Sequence, residues 1–476
     1  MTVQRASPHR AAMVDGLVTP LEFRSRLDPL LASVGVANGP IALAVSGGGD
    51  SMAMLVLAHA AYPGQVHAFT VDHGLRAESA CEADQVRSWC YALGIRHSVL
   101  KWQSAKPATR VQERARHARY ALLAAAAVGL GNQSSAAPLL TAHTLEDQAE
   151  TFLLRLAHHS DLAGLAGMRA ATEIDSVPPV PLLRPLLDVS RQQLRLVLKS
   201  QGQQWLEDPS NDNPSFERVR VRRLIPGLAA ADVRAVALAQ AANLFGRVGV
   251  ALKGVAPETE PAAQGYVVWQ PAQFQALPKP IGLRQLSLTL RAVGGGRYPP
   301  RGPSLEALHA KMSGAGFRGA SLGGCQIAIE RGRWLIVREY RPLAKQTLMR
   351  TPEEPILWDR RFWLRFPKAI LGGLVTALGD QLARSESPSR DLSPKASRLV
   401  NRTLPGIRRA DGRIEPLRIA DNAADWMLSA EPCALFVGAE RVGGGLCALW
   451  NKAQSARLAS KARVKGSRNP FRPSYL

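Results

Sequence analysis

The chain has 476 residues, which is too long for one ordinary compact core, so we expect two or three domains. Sixty Lys and Arg residues face 38 Asp and Glu residues, and the formal net charge of +22 favours a polyanionic partner, nucleic acid first, although a high-GC genome rich in arginine codons would give the same bias. The sequence has no run of about 18 apolar residues, so we expect no membrane span. Its N-terminus carries acidic residues that a signal or transit peptide lacks. Its five cysteines contain no Cys-x-x-Cys pair, which fits a reducing cytoplasm, and we therefore expect a cytoplasmic protein.

Residues 41–157 alternate short apolar runs with helical patterns, as repeated βαβ units do. The candidate strands are 41–45, 66–71, 97–102 and 138–142, and the candidate helices are 51–61, 78–93, 111–130 and 145–157. This order predicts an α/β fold with a doubly wound, Rossmann-like parallel sheet. Ligands of such sheets bind at the carboxyl ends of the strands.

A glycine-rich segment follows the first candidate strand and opens the next helix. Its residues are Ser46, Gly47, Gly48, Gly49, Asp50 and Ser51. Three glycines let backbone N–H groups approach a phosphate, and the helix N-terminus adds partial positive charge. The segment therefore predicts an anion-binding loop, but it lacks the Gly-Lys-Ser/Thr ending of a Walker A loop.

Further polar residues follow the second strand and lie on the helix 111–130. Asp72, His73 and Arg76 follow the second strand, where the carboxylate can hold metal or ribose and the two basic side chains can neutralise phosphate. Arg116 and Arg119 lie three residues apart on one helix face, which suits either phosphate binding or an ordinary solvated surface.

Another polar set follows the fourth strand. His143 comes directly after it, and Asp147 and Glu150 lie three residues apart on the next helix. Two carboxylates on one helix face suit an ammonium group or a divalent cation. Acidic residues in a first helical turn also serve as ordinary partners of the helix dipole.

The rest of the chain suggests further domains. We predict helices at 191–201, 229–250, 281–293 and 303–312, a hairpin at 326–339 around Arg331 and Gly332, and a Ser- and Pro-rich linker at 385–397. The predicted units are an N-terminal extension at 1–37, a catalytic domain at 38–228, a helical substrate or tRNA-binding domain at 229–384, and a small basic α+β region at 398–476. Lys452 to Arg472 contain no acidic residue, which fits a solvated tail or an RNA-binding one.

Taken together, these motifs resemble the tRNA(Ile)-lysidine synthetase family. The residues 46–51 are similar to the pyrophosphatase-type SGGxDS loop, and the further matches are DHGLR at 72–76, ARxxRY at 115–120, AGLAGM at 163–168 and WLEDPSN at 205–211. The chain departs from the family's AHHxDDQxET at Thr144 and Glu146, from its usual glycine-serine segment at 158–161, and from its RNxxR element at Arg218-Val219.

The resemblance implies an adenine nucleotide α-hydrolase-like domain that uses ATP and Mg²⁺, with tRNA(Ile) bearing a CAU anticodon and free L-lysine as partners. It implies that the loop, Asp72, His73 and Arg76 bind ATP, that Asp50 lies beside Mg²⁺, and that Asp147 and Glu150 bind lysine. By the same resemblance the catalytic residues are Asp50, Arg116, Arg119 and His143, and the tRNA-binding residues are Arg218, Arg220, Arg222 and Arg223. The oligomeric state stays open, with a homodimer as one alternative.

Two alternatives remain from the sequence. One is another tRNA base-modifying enzyme with the same loop, such as a thiolase, although thiolases with iron-sulfur clusters need a close cysteine pair that the sequence lacks. The other is a non-catalytic RNA-binding relative, against which the intact Asp50, His143 and Asp147 argue.

Overall fold

The computed structural model describes most of the chain in segments. These are residues 16–36, 38–74, 78–102, 111–131, 135–158, 160, 162–174, 176, 179–207, 214–215, 217–251, 261–296, 299–344, 348–349, 356–366, 374–382, 392–420 and 433–436. Arg76, the residues 208–211 of the WLEDPSN element and the basic tail 452–476 lie outside these segments, so the predictions made for them stay predictions.

The first domain is built on a six-stranded sheet with the order β3-β2-β1-β4-β6-β5. Its strands are β1 (Ile41–Ala44), β2 (Val66–Asp72), β3 (Arg96–Lys101), β4 (Leu139–Leu140), β5 (Ala171–Ile174) and β6 (Val180–Leu183). Every neighbouring pair is parallel except β5 with β6. The predicted doubly wound α/β fold is therefore confirmed, with one antiparallel strand added at its edge.

Helices cover both faces of this sheet, because alternate residues of each strand point to opposite sides. The helices are α1 (Pro20–Ser33), α2 (Gly49–Ala61), α3 (Ser79–Ala92), α4 (Val111–Leu130), α5 (Leu145–Ala157), the short α6 (Leu162–Leu165) and α7 (Arg191–Ser200). Ile41 and Leu43 share a core with α1, α2, α3 and α7, whereas Ala42 packs with Leu123 of α4.

Helix α1 corrects the predicted N-terminal extension 1–37. A capping box between Thr19 and Glu22 starts this helix, and its Phe23 and Leu27 are fully buried in the first core. Residues 20–33 therefore belong to the first domain.

Two helices lead out of the first domain. They are α8 (Glu217–Ala230) and α9 (Ala235–Ala251), and they bend by 108° at the break between them, where Asp232 has a φ of 60°. This break corrects the single helix predicted at 229–250. Among the described residues no single helix has the length and apolar character to cross a membrane, and the bent pair of α8 and α9 meets the test by length and composition only.

The next region combines helices with a four-stranded antiparallel sheet, whereas the sequence predicted a helical domain with one hairpin. Its elements are β7 (Val267–Trp269), α10 (Pro271–Gln275), α11 (Lys279–Gly294), α12 (Gly302–Ser313), β8 (Ala320–Leu322), β9 (Cys325–Glu330) and β10 (Arg333–Arg338). The strand order is β7-β10-β9-β8. Strands β9 and β10 form the predicted hairpin, and its turn uses Arg331 and Gly332 at φ of 49° and 72°, the positive values that a tight two-residue turn requires.

The last described region contains two small sheets with the orders β11-β14-β15-β16 and β12-β13-β18-β17. Its elements are β11 (Leu348–Met349), β12 (Ile356–Trp358), β13 (Phe362–Arg365), β14 (Leu374–Ala377), α13 (Gly379–Leu382), α14 (Pro394–Asn401), β15 (Pro405–Arg408), β16 (Ile414–Pro416), β17 (Arg418–Ala420) and β18 (Cys433–Phe436).

Each of these two sheets contains strands from before and from after the predicted linker 385–397. Strand β14 pairs with β15 and β13 pairs with β18, so strands from both sides of the linker share one fold. The end of the linker is itself folded, because Ser393 caps α14 and bonds through its backbone N–H and hydroxyl to Glu330, at 2.7 and 2.8 Å. A domain boundary at this linker is therefore wrong.

Candidate active site

The glycine loop, residues 46–51, connects β1 to α2 at the carboxyl edge of the first sheet. Gly47 has a φ of 86°, Gly48 is the N-cap of α2, and Gly49 is its first residue. The Ser51 hydroxyl donates to the Gly48 carbonyl at 2.8 Å and accepts from the Ser46 backbone N–H at 3.2 Å. Hydrogen bonds within the loop therefore fix its conformation at the N-terminus of α2, and a helix N-terminus of this kind binds phosphate.

At two of the three loop glycines a side chain would collide with a neighbouring residue. A Cβ at Gly47 would lie 2.7 Å from Leu206 Cδ1, and one at Gly49 would overlap the guanidinium of Arg195. The Leu206 backbone N–H donates to the Gly47 carbonyl at 2.9 Å, so the segment before the DPSN residues closes one side of the loop. Arg195 in turn stacks over Trp205 at 4.6 Å.

Asp50 is the second residue of α2. Its Oδ2 lies 3.4 Å from Arg191 Nε, while its Oδ1 is buried and has no hydrogen-bond partner in the described part of the chain. Burial raises the pKa of Asp50, and Arg191 opposes this effect. An unpartnered carboxylate oxygen beside a phosphate-binding loop fits Mg²⁺, because this ion is usually bound through one or two carboxylates together with substrate phosphates. The described residues contain no group of three or more His, Cys, Asp or Glu arranged for a metal.

Asp147 and Glu150 lie on one face of α5, as predicted, and three arginines contact them. We call this group the site cluster. Asp147 Oδ1 accepts from Arg191 at 2.7 Å and from Arg218 at 2.8 Å. Glu150 has no exposed side-chain surface, and it accepts from Arg191 at 3.1 Å, Arg218 at 2.7 Å and Arg222 at 2.8 Å.

The arginines decide the charge of this pair. Burial alone would raise the pKa of both carboxyl groups, but the guanidinium groups outweigh it and hold the pKa of Asp147 and Glu150 below the usual range. Both side chains are therefore ionised at neutral pH. The same contacts raise the pKa of Arg191 against the opposing effect of its burial.

His143 lies between the end of β4 and the site cluster. Its Nδ1 is 3.0 Å from the Thr141 hydroxyl. Burial lowers the pKa of His143 to about 3, and the charges of Arg184, Arg218 and Arg116 act in the same direction while Asp147 opposes them. His143 is thus a neutral imidazole at physiological pH, suited to hydrogen bonding and not to carrying charge.

The residues predicted after β2 and on α4 form a second group. Asp72 accepts from Gly74 N–H at 2.9 Å and from the Ser79 hydroxyl at 2.7 Å, and the Ser79 bond is the main reason that its pKa is lowered. Arg119 Nε donates to His73 Nε2 at 3.3 Å. Asp72 therefore holds the turn between β2 and α3, and His73 and Arg119 act as a pair.

Arg116 faces a different set of partners. Its guanidinium stacks over the Tyr120 ring at 5.3 Å, and Tyr120 hydrogen-bonds to Arg184. Arg184 follows β6 directly, and it is buried while donating to the Arg169 carbonyl at 2.9 Å. Arg116 and Arg119 thus reach different neighbours from one helix face.

Three arginines at this edge were missed by the sequence analysis. They are Arg184, Arg191 and Arg195. Arg184 follows a strand that was not predicted. Arg191 is the first residue of α7, directly after the N-cap Ser190, and Arg195 follows one turn later. Two arginines one turn apart near a helix start were the signal in the sequence that could have identified them.

The two family departures on α5 have clear structural roles. Thr144 is the N-cap of α5 and forms a capping box with Asp147. Glu146 accepts the backbone N–H of Arg191, at 3.0 Å through one carboxylate oxygen and 3.1 Å through the other. These residues therefore fix the starts of α5 and α7 and leave Asp147 and Glu150 in place.

The AGLAGM element is held against α5. The Gln148 amide bonds both ways with the Met168 backbone, at 2.7 and 2.8 Å, and a Cβ at Gly167 would lie 2.7 Å from Gln148 Oε1. Arg155 donates to the carbonyls of Gly164 and Gly167. Two side chains of α5 therefore hold this element against the helix.

The four arginines predicted to bind tRNA divide into two pairs. Arg218 and Arg222 are half-buried and pair with the carboxylates of the site cluster. Arg220 and Arg223 are exposed on α8, where Arg220 bonds to the carbonyls of Pro214 and Ser215.

Comparison with known proteins gives a consistent result. Residues 21–228 match the PP-loop domain family. The tRNA(Ile)-lysidine synthase of Hyphomonas neptunium is 39% identical over 320 residues, which cover 65% of this chain and 84% of that protein. The synthase of Ruegeria pomeroyi is 38% identical over 347 residues, covering 71% and 79%. Among solved structures, a U34-tRNA thiolase from Methanococcus maripaludis shares 16% identity over 48% of this chain and 78% of its own, with a TM-score of 0.38, which is too low to support an argument.

Proposed function

The chain belongs to the tRNA(Ile)-lysidine synthase family, and on that premise we propose that it joins free L-lysine to the wobble cytidine of a tRNA(Ile) with a CAU anticodon. It is an ATP-using enzyme, a ligase that forms a carbon–nitrogen bond. Free tRNA, ATP and lysine coexist in the cytoplasm, where we place the activity.

The reaction has two steps. Cytidine O2 attacks the α-phosphorus of ATP, the bond to the β-phosphate oxygen breaks, and pyrophosphate leaves. The ε-amine of lysine then attacks C2 of the adenylated base, the C2–O2 bond breaks, and AMP leaves with O2 while the amine loses a proton. The enzyme must therefore bind a triphosphate and an amine side by side.

One observation carries this proposal. The guanidinium of Arg191 contacts Asp50 beside the glycine loop and also Asp147 and Glu150. The anion-binding loop and the acidic pair are therefore within the reach of a single side chain. This is the distance scale that attack by a bound amine on a nucleotide-activated base requires.

The described residues suit distinct tasks in this reaction. The backbone N–H groups of the glycine loop bind the leaving pyrophosphate, and Arg116 and Arg119 offset charge on the α-phosphate. Mg²⁺ at Asp50 would neutralise charge on the phosphates. Neutral His143 hydrogen-bonds near the reacting groups, and Asp147 and Glu150 receive the ammonium of lysine.

The tRNA needs a larger surface than this site. We propose that the phosphate backbone of the tRNA is bound by Arg220 and Arg223 on α8, by the regions after residue 251, and by the basic tail 452–476. Phosphate contacts by such residues release counterions and make affinity depend on salt. Deletion of 452–476 should therefore weaken tRNA binding and flatten its salt dependence in filter-binding assays, and an unchanged slope would remove the tail from the binding surface.

The proposal is tested by product release with purified protein. With ATP, lysine and a tRNA carrying a CAU anticodon, we expect pyrophosphate and AMP in equal amounts and lysine covalently bound to the tRNA. With the anticodon changed to GAU, which offers no wobble cytidine, both products should fall to background. Pyrophosphate release that does not depend on this cytidine would refute the assignment.

A further inference from the structure

Arg191 links carboxylates that, in the proposed function, serve two different substrates. Asp50 belongs to the ATP site, at 3.4 Å, whereas Asp147 and Glu150 belong to the lysine site, at 2.7 and 3.1 Å. The backbone of Arg191 is fixed, because Ser190 caps α7 and Glu146 accepts the Arg191 N–H. Its side chain is 24% exposed, so rotation of this side chain is the available movement.

The charges around Arg191 are already balanced without substrates. Four carboxylates face four guanidinium groups, and these are Asp50, Glu146, Asp147 and Glu150 with Arg191, Arg195, Arg218 and Arg222. An added ammonium would place an unpaired positive charge in a half-buried site, which is costly. Binding of the lysine ammonium therefore requires that one arginine side chain moves out of the group or that another negative charge binds there.

The acceptor atoms of the pair give the same result. Glu150 Oε1 accepts from Arg191 and Arg222, Glu150 Oε2 from Arg218 and Arg222, and Asp147 Oδ1 from Arg191 and Arg218. Asp147 Oδ2 accepts the Thr144 backbone N–H. Three of these four oxygens are therefore bound by guanidinium groups, and an ammonium that binds them must displace one.

Among the three arginines, Arg191 has an alternative anion close by. Its Nε already faces Asp50 at the start of α2, where the triphosphate would bind. Phosphate oxygens are strong acceptors for guanidinium groups, and ATP brings more negative charge than a single carboxylate does. Arg218 and Arg222, on α8, bond to Asp147 and Glu150 without a contact to Asp50 among those described.

We propose that Arg191 is a positioning residue that moves from Asp147 and Glu150 to the phosphates of ATP, so that bound ATP opens the acidic pair to the amine of lysine. This inference rests on the proposed function and adds an order to it, with ATP before lysine. Because coupling between two sites is reciprocal, lysine must raise the affinity for ATP by the same factor.

The test measures binding and not turnover. Without tRNA there is no cytidine to adenylate, so equilibrium dialysis with radiolabelled L-lysine can be run with and without ATP and MgCl₂. For the unmodified protein we expect ATP to tighten lysine binding about fivefold or more, which is the lower end of typical couplings.

Arg191→Gln removes the competing guanidinium. We expect it to bind lysine more tightly than the unmodified protein when ATP is absent, and to lose most of the effect of ATP. Arg191→Lys keeps a positive charge at the pair, so its lysine affinity without ATP should stay low. Lys199→Gln, which removes an exposed cation in the last turn of α7, is the matched control, and its lysine affinity without ATP should not change.

The outcomes separate this inference from the proposed function. Should Arg191→Gln bind lysine more weakly than the unmodified protein when ATP is absent, Arg191 is a structural ligand of the pair and the inference is wrong. Equal lysine affinity of the unmodified protein with and without ATP also overturns it, with the lysine site intact. If lysine does not bind in any state, the lysine site of the proposed function is wrong as well. Thermal melts show whether each variant is folded.

Discussion

Two clusters of arginine and carboxylate, built from the same groups, lie in different surroundings in this protein. The site cluster lies at the carboxyl edge of the first sheet, and its arginines keep between 24% and 37% of their side-chain surface exposed. The second, which we call the buried cluster, consists of Arg338, Asp359 and Arg361. Their exposed fractions are 8%, 4% and 0%.

The bonding of the two clusters differs as well. In the buried cluster Asp359 binds Arg338 at 2.9 Å and Arg361 at 2.6 Å, and Arg338 Nη1 and Arg361 Nη2 donate to the carbonyls of Gly324 and Thr403. Arg361 Nη1 is buried without a hydrogen-bond partner in the described part of the chain. Its partners come from β10, the turn after β12 and the segment after α14, so it joins the second and third regions. The site cluster remains accessible, and Asp50 beside it has an oxygen without a hydrogen-bond partner in the described part of the chain. A candidate site thus differs from a structural ion-pair cluster in its solvent accessibility and in a carboxylate oxygen without a hydrogen-bond partner, and not in its density of charge.

The largest effect should come from breaking the buried cluster. Asp359→Asn keeps the shape and tolerates the φ of 48° at this position, but it leaves two buried guanidinium groups without a carboxylate. We expect the free energy of unfolding of this part to fall by about 3–5 kcal/mol, seen as a lower midpoint in denaturant. Asp411→Asn removes the exposed pair with Arg413 and should change little. Equal midpoints for the two variants would show that the buried cluster contributes nothing to stability.

The corresponding change in the accessible region should affect chemistry more than folding. Asp50→Asn removes one 3.4 Å contact and a charge beside the triphosphate. We expect pyrophosphate release to fall about 10²-fold or more, while the melting temperature stays nearly constant. Asp84→Asn, which breaks an exposed pair with Arg87, is a control for the loss of a carboxylate. Normal release by Asp50→Asn would contradict the role of Asp50.

Within the site cluster, Glu150→Gln should act on lysine rather than on ATP. Losing a hydrogen bond to a charged group costs about 1.5–3 kcal/mol, so the lysine concentration for half-maximal rate should rise about tenfold or more. The ATP concentration for half-maximal rate should change little. Glu146→Gln is the control, since an amide oxygen still accepts the Arg191 backbone N–H. A shift in ATP dependence alone would identify Asp147 and Glu150 as a metal site.

The two regions also differ in how far the sequence predicts them. In the first domain each main strand is an apolar run followed by a polar turn, so the predicted strand 66–71 is observed as Val66–Asp72 and the predicted helix 145–157 as Leu145–Ala157. In the third region the strands have two to four residues, and β13 pairs with β18 about seventy residues later. Such pairing depends on tertiary contacts that no local pattern reports.

The same distinction applies inside the candidate site. The glycine loop, His143, Asp147 and Glu150 could be placed from the sequence, because strand ends and helical spacing fix their positions. Arg191 could not, since its partners Asp147 and Glu150 are more than forty residues away in the chain. Sequence patterns locate groups that share an element, and they leave out the ion pairs that join elements.

The smallest effect concerns His143, where burial lowers the folded-state pKa to about 3. An unfolded histidine titrates near 6.5, so at pH below 6.5 the unfolded chain takes up a proton that the folded protein does not. The contribution of the neutral imidazole is therefore complete above pH 6.5 and is lost as the pH falls toward 3. Between pH 7 and pH 6 this amounts to about 0.7 kcal/mol. The free energy of unfolding of the unmodified protein and of His143→Gln can be measured with denaturant at pH 7 and pH 6. The change between the two pH values should differ by that amount between the two proteins. Equal changes in the two proteins would mean that His143 titrates normally in the folded state and carries charge beside Asp147, so that the site, unlike the buried cluster, would gain a cation as the pH falls.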